Sequence, residues 1–509
     1  MHTDKQKVAY YNGKKTGKDM GMEAQETKFS FVYHEVKQRI LTNQIPPGDY
    51  IPSSRILCHQ FNVSRYTINR VFDALQKEGY IEIKPRIAPI VLPRETEIKQ
   101  GNEGIDILRS RDNILQIYET FALILPSLLS FAAKHCDLEI LYHYKKAMKV
   151  SRMGISAGGW RPVSNLLKEI LTVGGSPLLG NLYSVFELHS HLSFFTENST
   201  FFLKVLRKDS IPITANLISI LKEKDTHVMY TQLTHLLLRF VYAVQETLQH
   251  LADTLEAYPL QSPAAFSWRP TRGKDYFYTR IVSDLNRKIV RGDYPRGTFL
   301  PSEKQLAAFY NVSVSTIRKA LTELSQRGFV RTINGKGTMI ITPDDSRVRQ
   351  ILPNPGRTEE ALRYLHALQL LALIIHPATV NAAAKFKKKE LKSLEEKLYL
   401  PDSICIIDIF EAILYHTDAQ PLKSILKEAF RLTEWGHYIA YYDHKKQVLQ
   451  TVNKRLRLAV HELHTGDYIE FANRIADCYY QIFQHARDIM TNKYGFSSAA
   501  AIQLPEKYY

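Results

Sequence analysis

Two stretches of this chain carry side chains suited to gripping a polyanion. Val312-Ser313-Val314-Ser315-Thr316-Ile317-Arg318-Lys319 sets short hydroxyls beside a long forked cation. Val63-Ser64-Arg65-Tyr66-Thr67-Ile68-Asn69-Arg70, 249 residues earlier, has the same plan. Hydroxyls at a helix start can donate to phosphate oxygens, and an arginine fork matches the major-groove edge of guanine. Lys304 and Arg55 lie upstream at corresponding places, and Lys336 sits between Gly335 and Gly337, whose missing side chains let backbone approach a phosphate. The candidate DNA contacts are therefore Arg55, Ser64, Arg65, Tyr66, Thr67, Asn69 and Arg70 in one stretch. In the other they are Lys304, Ser313, Ser315, Thr316, Arg318, Lys319, Gly335 and Lys336.

Such side chains need a scaffold, and the flanking sequence specifies one. Ser302 with Gln305 three residues on forms a capping box that opens a short helix, with Leu306, Ala307 and Phe309 as its apolar contacts. Asn311-Val312 makes a turn and Ser313 caps a second helix. Ile317, Ala320, Leu321 and Leu324 recur at helical spacing, and Gly328 stops that helix. Phe329–Ile333 and Thr338–Ile341 are β-rich runs around a glycine-lysine turn, which is a hairpin signal. The expected unit is a winged helix-turn-helix with its second helix in the major groove. From Tyr276 to Gly337 there are eleven Lys/Arg against four Asp/Glu.

The order L-P-S-E-x-x-L-A, V-S-x-x-T-I-R-x-A-L, G-F-V and G-K-G-T resembles the DNA-binding domain of GntR-family bacterial transcription regulators. The resemblance implies DNA contacts at the position after P-S-E, at the recognition-helix start and in the wing. It also implies dimeric binding to two-fold related operators. The family usually carries arginine where this copy has Val314, so one guanine contact is missing here.

Phe31 to Leu92 repeats the module: Pro52-Ser53-Ser54-Arg55 aligns with Pro301-Ser302-Glu303-Lys304, and Gly79-Tyr80-Ile81 with Gly328-Phe329-Val330, both at 249 residues. This copy keeps Arg55 and Arg65 but puts Asn69 where the other has Arg318. Its wing, Lys84-Pro85-Arg86-Ile87-Ala88-Pro89, has no glycine and is expected not to make the same tight turn. The copy is either a reader of a different half-site or a half-degenerate partner, and Arg65 favours the former.

Both modules are followed by long segments with helical periodicity, as in Ile114–Ala133 and Glu359–Leu373. Pro177-Leu178 aligns with Pro421-Leu422, and Asp225 with Asp467, at offsets near 245. The expected fold is mainly α with two small winged helix-turn-helix (α+β) domains, an internal duplication of about 245 residues. The expected divisions are a disordered tail over 1–28, winged helix-turn-helix 1 over 29–93 and helical domain 1 over 107–258. A linker over 259–273, winged helix-turn-helix 2 over 274–343 and helical domain 2 over 356–500 complete the chain. The helical segments faintly resemble the effector domain of the FadR-like branch of the same family, many of whose members hold a metal through an aspartate and histidines. Here the first such motif reads Asn165 to Glu169 in one half and Asp408 to Ala412 in the other, without the histidine, so no metal is expected.

A net charge of +16 over 509 residues favours DNA as partner. Four scattered cysteines without framework spacing fit a reducing cytosol. The most apolar windows, Phe121–Ala133 and Ala367–Ala378, read as too short for a membrane span and are interrupted by Pro126, His376 and Pro377. His189/His191 and His461/His464 lack a third metal ligand, and no nucleophile elbow, phosphate loop or dinucleotide fingerprint is present. No enzyme activity and no cofactor are expected. The expectation is a cytoplasmic, nucleoid-associated, sequence-specific transcription regulator, acting as an internal pseudo-dimer or a homodimer. An unknown small-molecule effector would modulate its operator affinity through the helical domains. A metabolite or metal sensor with vestigial DNA binding, and a protein-interaction scaffold, are the alternatives.

Overall fold

The computed structural model of the protein describes residues 28–41, 45, 47–61, 63–85, 87–92, 104–105, 107–153, 160–192, 194–198, 200–206, 212–254, 266–270, 277–290, 293–341, 355–399, 405–436 and 447–507. The expected tail up to residue 27, Arg86, and the linker positions other than 266–270 lie outside these residues.

The first winged unit comprises α1 (Lys28–Leu41), α2 (Ser54–Phe61), α3 (Arg65–Lys77) and a hairpin of β1 (Ile81–Glu82) and β2 (Ile90–Val91). The helices that follow among the described residues include α4 (Arg111–Lys134), α5 (Tyr144–Met153), α6 (Arg161–Ile170), α7 (Pro177–Ser190), α8 (Thr200–Leu206), α9 (Ile213–Ile220) and α10 (Thr226–Thr254). The second winged unit has α11 (Phe277–Val290), α12 (Glu303–Tyr310), α13 (Val314–Gln326), β3 (Val330–Ile333) and β4 (Gly337–Ile340). Its helical partner contains α14 (Pro355–Ala383), α15 (Lys388–Leu398), α16 (Cys405–His416), α17 (Gln420–Leu432), α18 (Gln447–Thr465) and α19 (Tyr468–Asp488).

The backbone repeats as closely as the sequence does. Gly48 N–H donates to Val91 O and Gly297 N–H to Ile340 O, the same bond 249 residues apart. Ile51 to Pro89 and Leu300 to Thr338 form a second such pair. Pro177 and Pro421 both lie in the first turn of a helix, where a proline costs no hydrogen bond. Asp225 and Asp467 both accept from backbone N–H groups at the start of the next helix.

The two wings differ: the first runs from Glu82 to Ile90 between its strands, the second only from Ile333 to Gly337, and the ladder pairs two residues per strand in the first and four in the second. One expectation is corrected. Phe309 is 37% exposed, and Tyr310 beside it supplies the buried contact.

The cores divide unequally. The first winged unit closes a core of its own, from Val32 to Val91, with no residue from elsewhere among the described residues. The second shares its core with Ala361, Tyr364, Leu365 and Leu368 of α14 and with Phe483 and Ala486 of α19. One continuous core then joins the two helical segments, with α4 and α14 at its centre. These two helices run through Pro126 and Pro377 and reach 24 and 29 residues, longer than the sequence windows suggested. They are long and apolar enough to cross a membrane, but 78% and 72% of their most apolar windows is buried inside the protein.

The presumed linker takes part in this core. Phe266 and Trp268 are 3% and 0% exposed. Trp268 donates its backbone N–H to Ser424 Oγ on α17 (2.9 Å) and its indole N–H to Asn181 Oδ1 on α7 (3.0 Å). One residue thus bridges the corresponding helices of the two halves.

Candidate nucleic-acid interface

Each recognition helix begins with the same cap. Ser64 Oγ accepts from Thr67 N–H at 3.2 Å, and Ser313 Oγ from Thr316 N–H at 3.2 Å. The threonine hydroxyls close onto the same serines, at 3.0 Å and 2.9 Å, and Ser315 Oγ lies 2.8 Å from Ser313 Oγ. These hydroxyls therefore fix the helix start before they meet any ligand, and the candidate contacts beside them stay in register. Ile68, Val71, Phe72 and Leu75 turn inward on α3, as Ile317, Ala320, Leu321 and Leu324 do on α13.

The opposite faces hold the cations. Arg55, Arg65, Asn69, Arg70, Lys304, Arg318, Lys319 and Lys336 are all exposed. Gly335 and Gly337 have φ of 75° and 113°, a region open to glycine, and they hold Lys336 at the tip of the second wing. Val314, at the position of Arg65, is half-buried against the second unit's core.

Three arrangements surround these cations. Arg318 Nε donates to Glu303 Oε2 at 2.8 Å, joining α13 to the start of α12. In the first copy the Arg70 guanidinium lies over the Phe29 ring (4.6 Å) and the Tyr66 ring (5.9 Å), leaving Tyr66 73% exposed. Beneath the second copy, Asp284 is 4% exposed and is bonded by Arg287, Lys288 and the Tyr310 hydroxyl at 2.7–2.8 Å. Burial alone would raise the Asp284 carboxyl, but the bonds from Lys288, Tyr310 and Arg287 hold it below the usual carboxylate range. Glu35 and Arg39 form the corresponding pair in the first copy (2.9 Å).

Residues 28–91 and 277–340 both match the sequence model of the bacterial regulatory proteins of the gntR family. The chain carries two GntR-family domains. Among curated relatives, the HTH-type transcriptional regulator TreR of Bacillus subtilis is 38% identical over 64 residues, 13% of this chain and 27% of TreR. The HTH-type transcriptional repressor NanR of Cronobacter sakazakii is 35% identical over 118 residues, 21% of this chain and 45% of NanR. The chain thus spans less than half the length of either relative. Among solved structures, Streptococcus agalactiae GntR matches at 16% identity and TM-score 0.19, over 41% of this chain and 99% of that one. At that score it carries no argument about how the GntR domains are arranged.

Three histidines outside the GntR domains have ordinary carboxylate partners. His143 Nδ1 lies 2.9 Å from Glu169, His416 Nε2 2.9 Å from Glu390, and His464 Nε2 2.8 Å from Glu395. Asp408 pairs with Lys397. No group of three metal-ligating side chains occurs among the described residues.

The first helical segment encloses a cavity of about 40 Å3, lined by aromatic side chains that include Phe121, Trp160, Tyr183, Phe186 and Phe240. At Tyr183 the lining becomes polar: its hydroxyl is 2.8 Å from Ser164 Oγ, which also bonds Glu187. Burial pushes the Glu187 carboxyl up to about 7, against the pull of Lys168 and Arg161.

Proposed function

We propose that this protein is a sequence-specific transcription regulator that presents two unlike recognition helices to DNA from one polypeptide. The observation that carries this reading is the pair of serine-capped helices with outward arginines and inward apolar faces, repeated at 249 residues in two GntR domains. Arg55, Arg65, Asn69 and Arg70 would meet one half-site, and Lys304, Arg318, Lys319 and Lys336 the other. Ser64, Thr67, Ser313, Ser315 and Thr316 would meet phosphates at the helix starts, with Tyr66 on the groove side and Gly335 letting the wing backbone approach. The core common to both helical segments supports an internal pseudo-dimer, since it supplies in one chain the contact that two subunits would otherwise make. The setting would be the bacterial nucleoid.

Modulation by an effector belongs to the same reading. The aromatic cavity is too small for a metabolite as it stands, so a ligand entering it would have to move helices that pack on α4. α4 packs on α14, whose first turns share the second GntR domain's core. A ligand that prefers one helix arrangement would thereby change the relation of the two recognition helices.

A salt-titrated shift assay on DNA selected from a random pool tests the reading. Affinity should fall steeply as salt rises, because phosphate neutralisation releases counterions. Salt-independent or absent binding would exclude it in favour of a protein-interaction scaffold.

A further inference from the structure

We propose that residues 303 and 318, and their counterparts 54 and 69, form a two-residue specificity switch that reads guanine in one half-site and adenine in the other. The inference rests on the proposed placement of both recognition helices in major grooves.

Arg318 and Asn69 occupy the same place on the two helices, five residues after the capping serine. Both are exposed on the face opposite the core. The structure adds what stands beside them. Glu303 holds Arg318 through Nε, and the Arg318 side chain stays 67% exposed, which leaves its terminal nitrogens available to a ligand. A guanidinium fixed in this way presents two parallel donors, the arrangement that matches guanine O6 and N7. The position 249 residues before Glu303 is Ser54, so the buttressing carboxylate is absent in the copy that also lacks the arginine. The asparagine side chain is short, with one donor and one acceptor in a plane, and needs no buttress to meet adenine N6 and N7.

The two changes make physical sense only together. A carboxylate at 303 without Arg318 would stand unpaired near phosphates and repel the duplex. An arginine at 69 without a carboxylate at 54 would keep its rotameric freedom and lose discrimination. The pair at 303 and 318 is open to solvent, at 39% and 67% side-chain exposure, so exchanging it should leave the fold intact.

Random-pool selection with the full-length chain and two double variants tests the proposal. Wild type should enrich an operator with adenine in one half-site and guanine in the other, at the base steps facing 69 and 318. Ser54→Glu/Asn69→Arg should convert that adenine to guanine, by roughly ten-fold or more in preference, without altering the other half. Glu303→Ser/Arg318→Asn should convert the guanine to adenine. Arg318→Asn alone should weaken binding to every sequence more than the double variant does. The same base at both steps in the wild-type operator, or double variants that change affinity without changing base preference, would overturn the switch. Wild type enriching no sequence in a salt-dependent way would overturn the DNA reading itself, and the switch with it.

Discussion

Removing the guanidinium at position 318 should cost about 1–3 kcal/mol of operator binding and relax the preference at one base step. The exposed bond to Glu303 contributes at most about 1 kcal/mol to the free protein, so most of that loss belongs to the complex. Lys336→Ala should behave differently, weakening all sequences alike and lowering the salt slope by about one, because on the proposed reading a lysine on a glycine-flanked wing tip would meet phosphate. Shift assays at several salt concentrations separate the two. Glu187 gives a pH signature in the helical body. Its carboxyl is raised when folded, so its contribution to stability is present below about 4.5 and is lost as pH rises through about 7. Thermal melts of Glu187→Gln and wild type should therefore agree near pH 4 and diverge toward pH 8, with the variant the more stable. A constant gap across that range would mean the carboxylate is not desolvated.

Among the elements, Trp268 makes the strongest claim. Its side chain is fully buried and its two N–H groups bridge α7 and α17, so Trp268→Ala should cost about 3–5 kcal/mol and lower the melting temperature by several degrees. An unchanged melt would show that the two halves are held elsewhere. The contrast with the GntR domains shows what sequence can and cannot reveal. The helices of the second copy were legible because caps and 3.6-residue periodicity are local: Ser313, Gly328 and the four inward residues Ile317, Ala320, Leu321 and Leu324 declare themselves. The prolines around Trp268 instead read as a linker, since nothing local says that an indole will meet partners 87 and 156 residues away. The Glu303–Arg318 bond crosses between helices 15 residues apart, where no spacing rule applies. Pro377 likewise lies past the helix expected to end at Leu373, although the packed core holds that helix continuous to Ala383.

At the scale of the whole molecule, the duplication places two diverged GntR domains beside one shared helical core. The second GntR domain is continuous with that body through α14 and α19, and Arg327 adds bonds to Glu323 and to Glu360 on α14. The first closes its core by itself. A rearrangement of the helical body should therefore carry the second recognition helix with it more directly than the first. One polypeptide would then command an asymmetric operator without needing a second copy. Footprinting of the full chain on its selected operator, beside Arg65→Ala and Arg318→Ala, tests this most directly. The account predicts that each substitution weakens protection of a different half-site, leaving the other largely in place. Loss of the same half-site with both variants, or two identical half-sites protected through one domain alone, would contradict it.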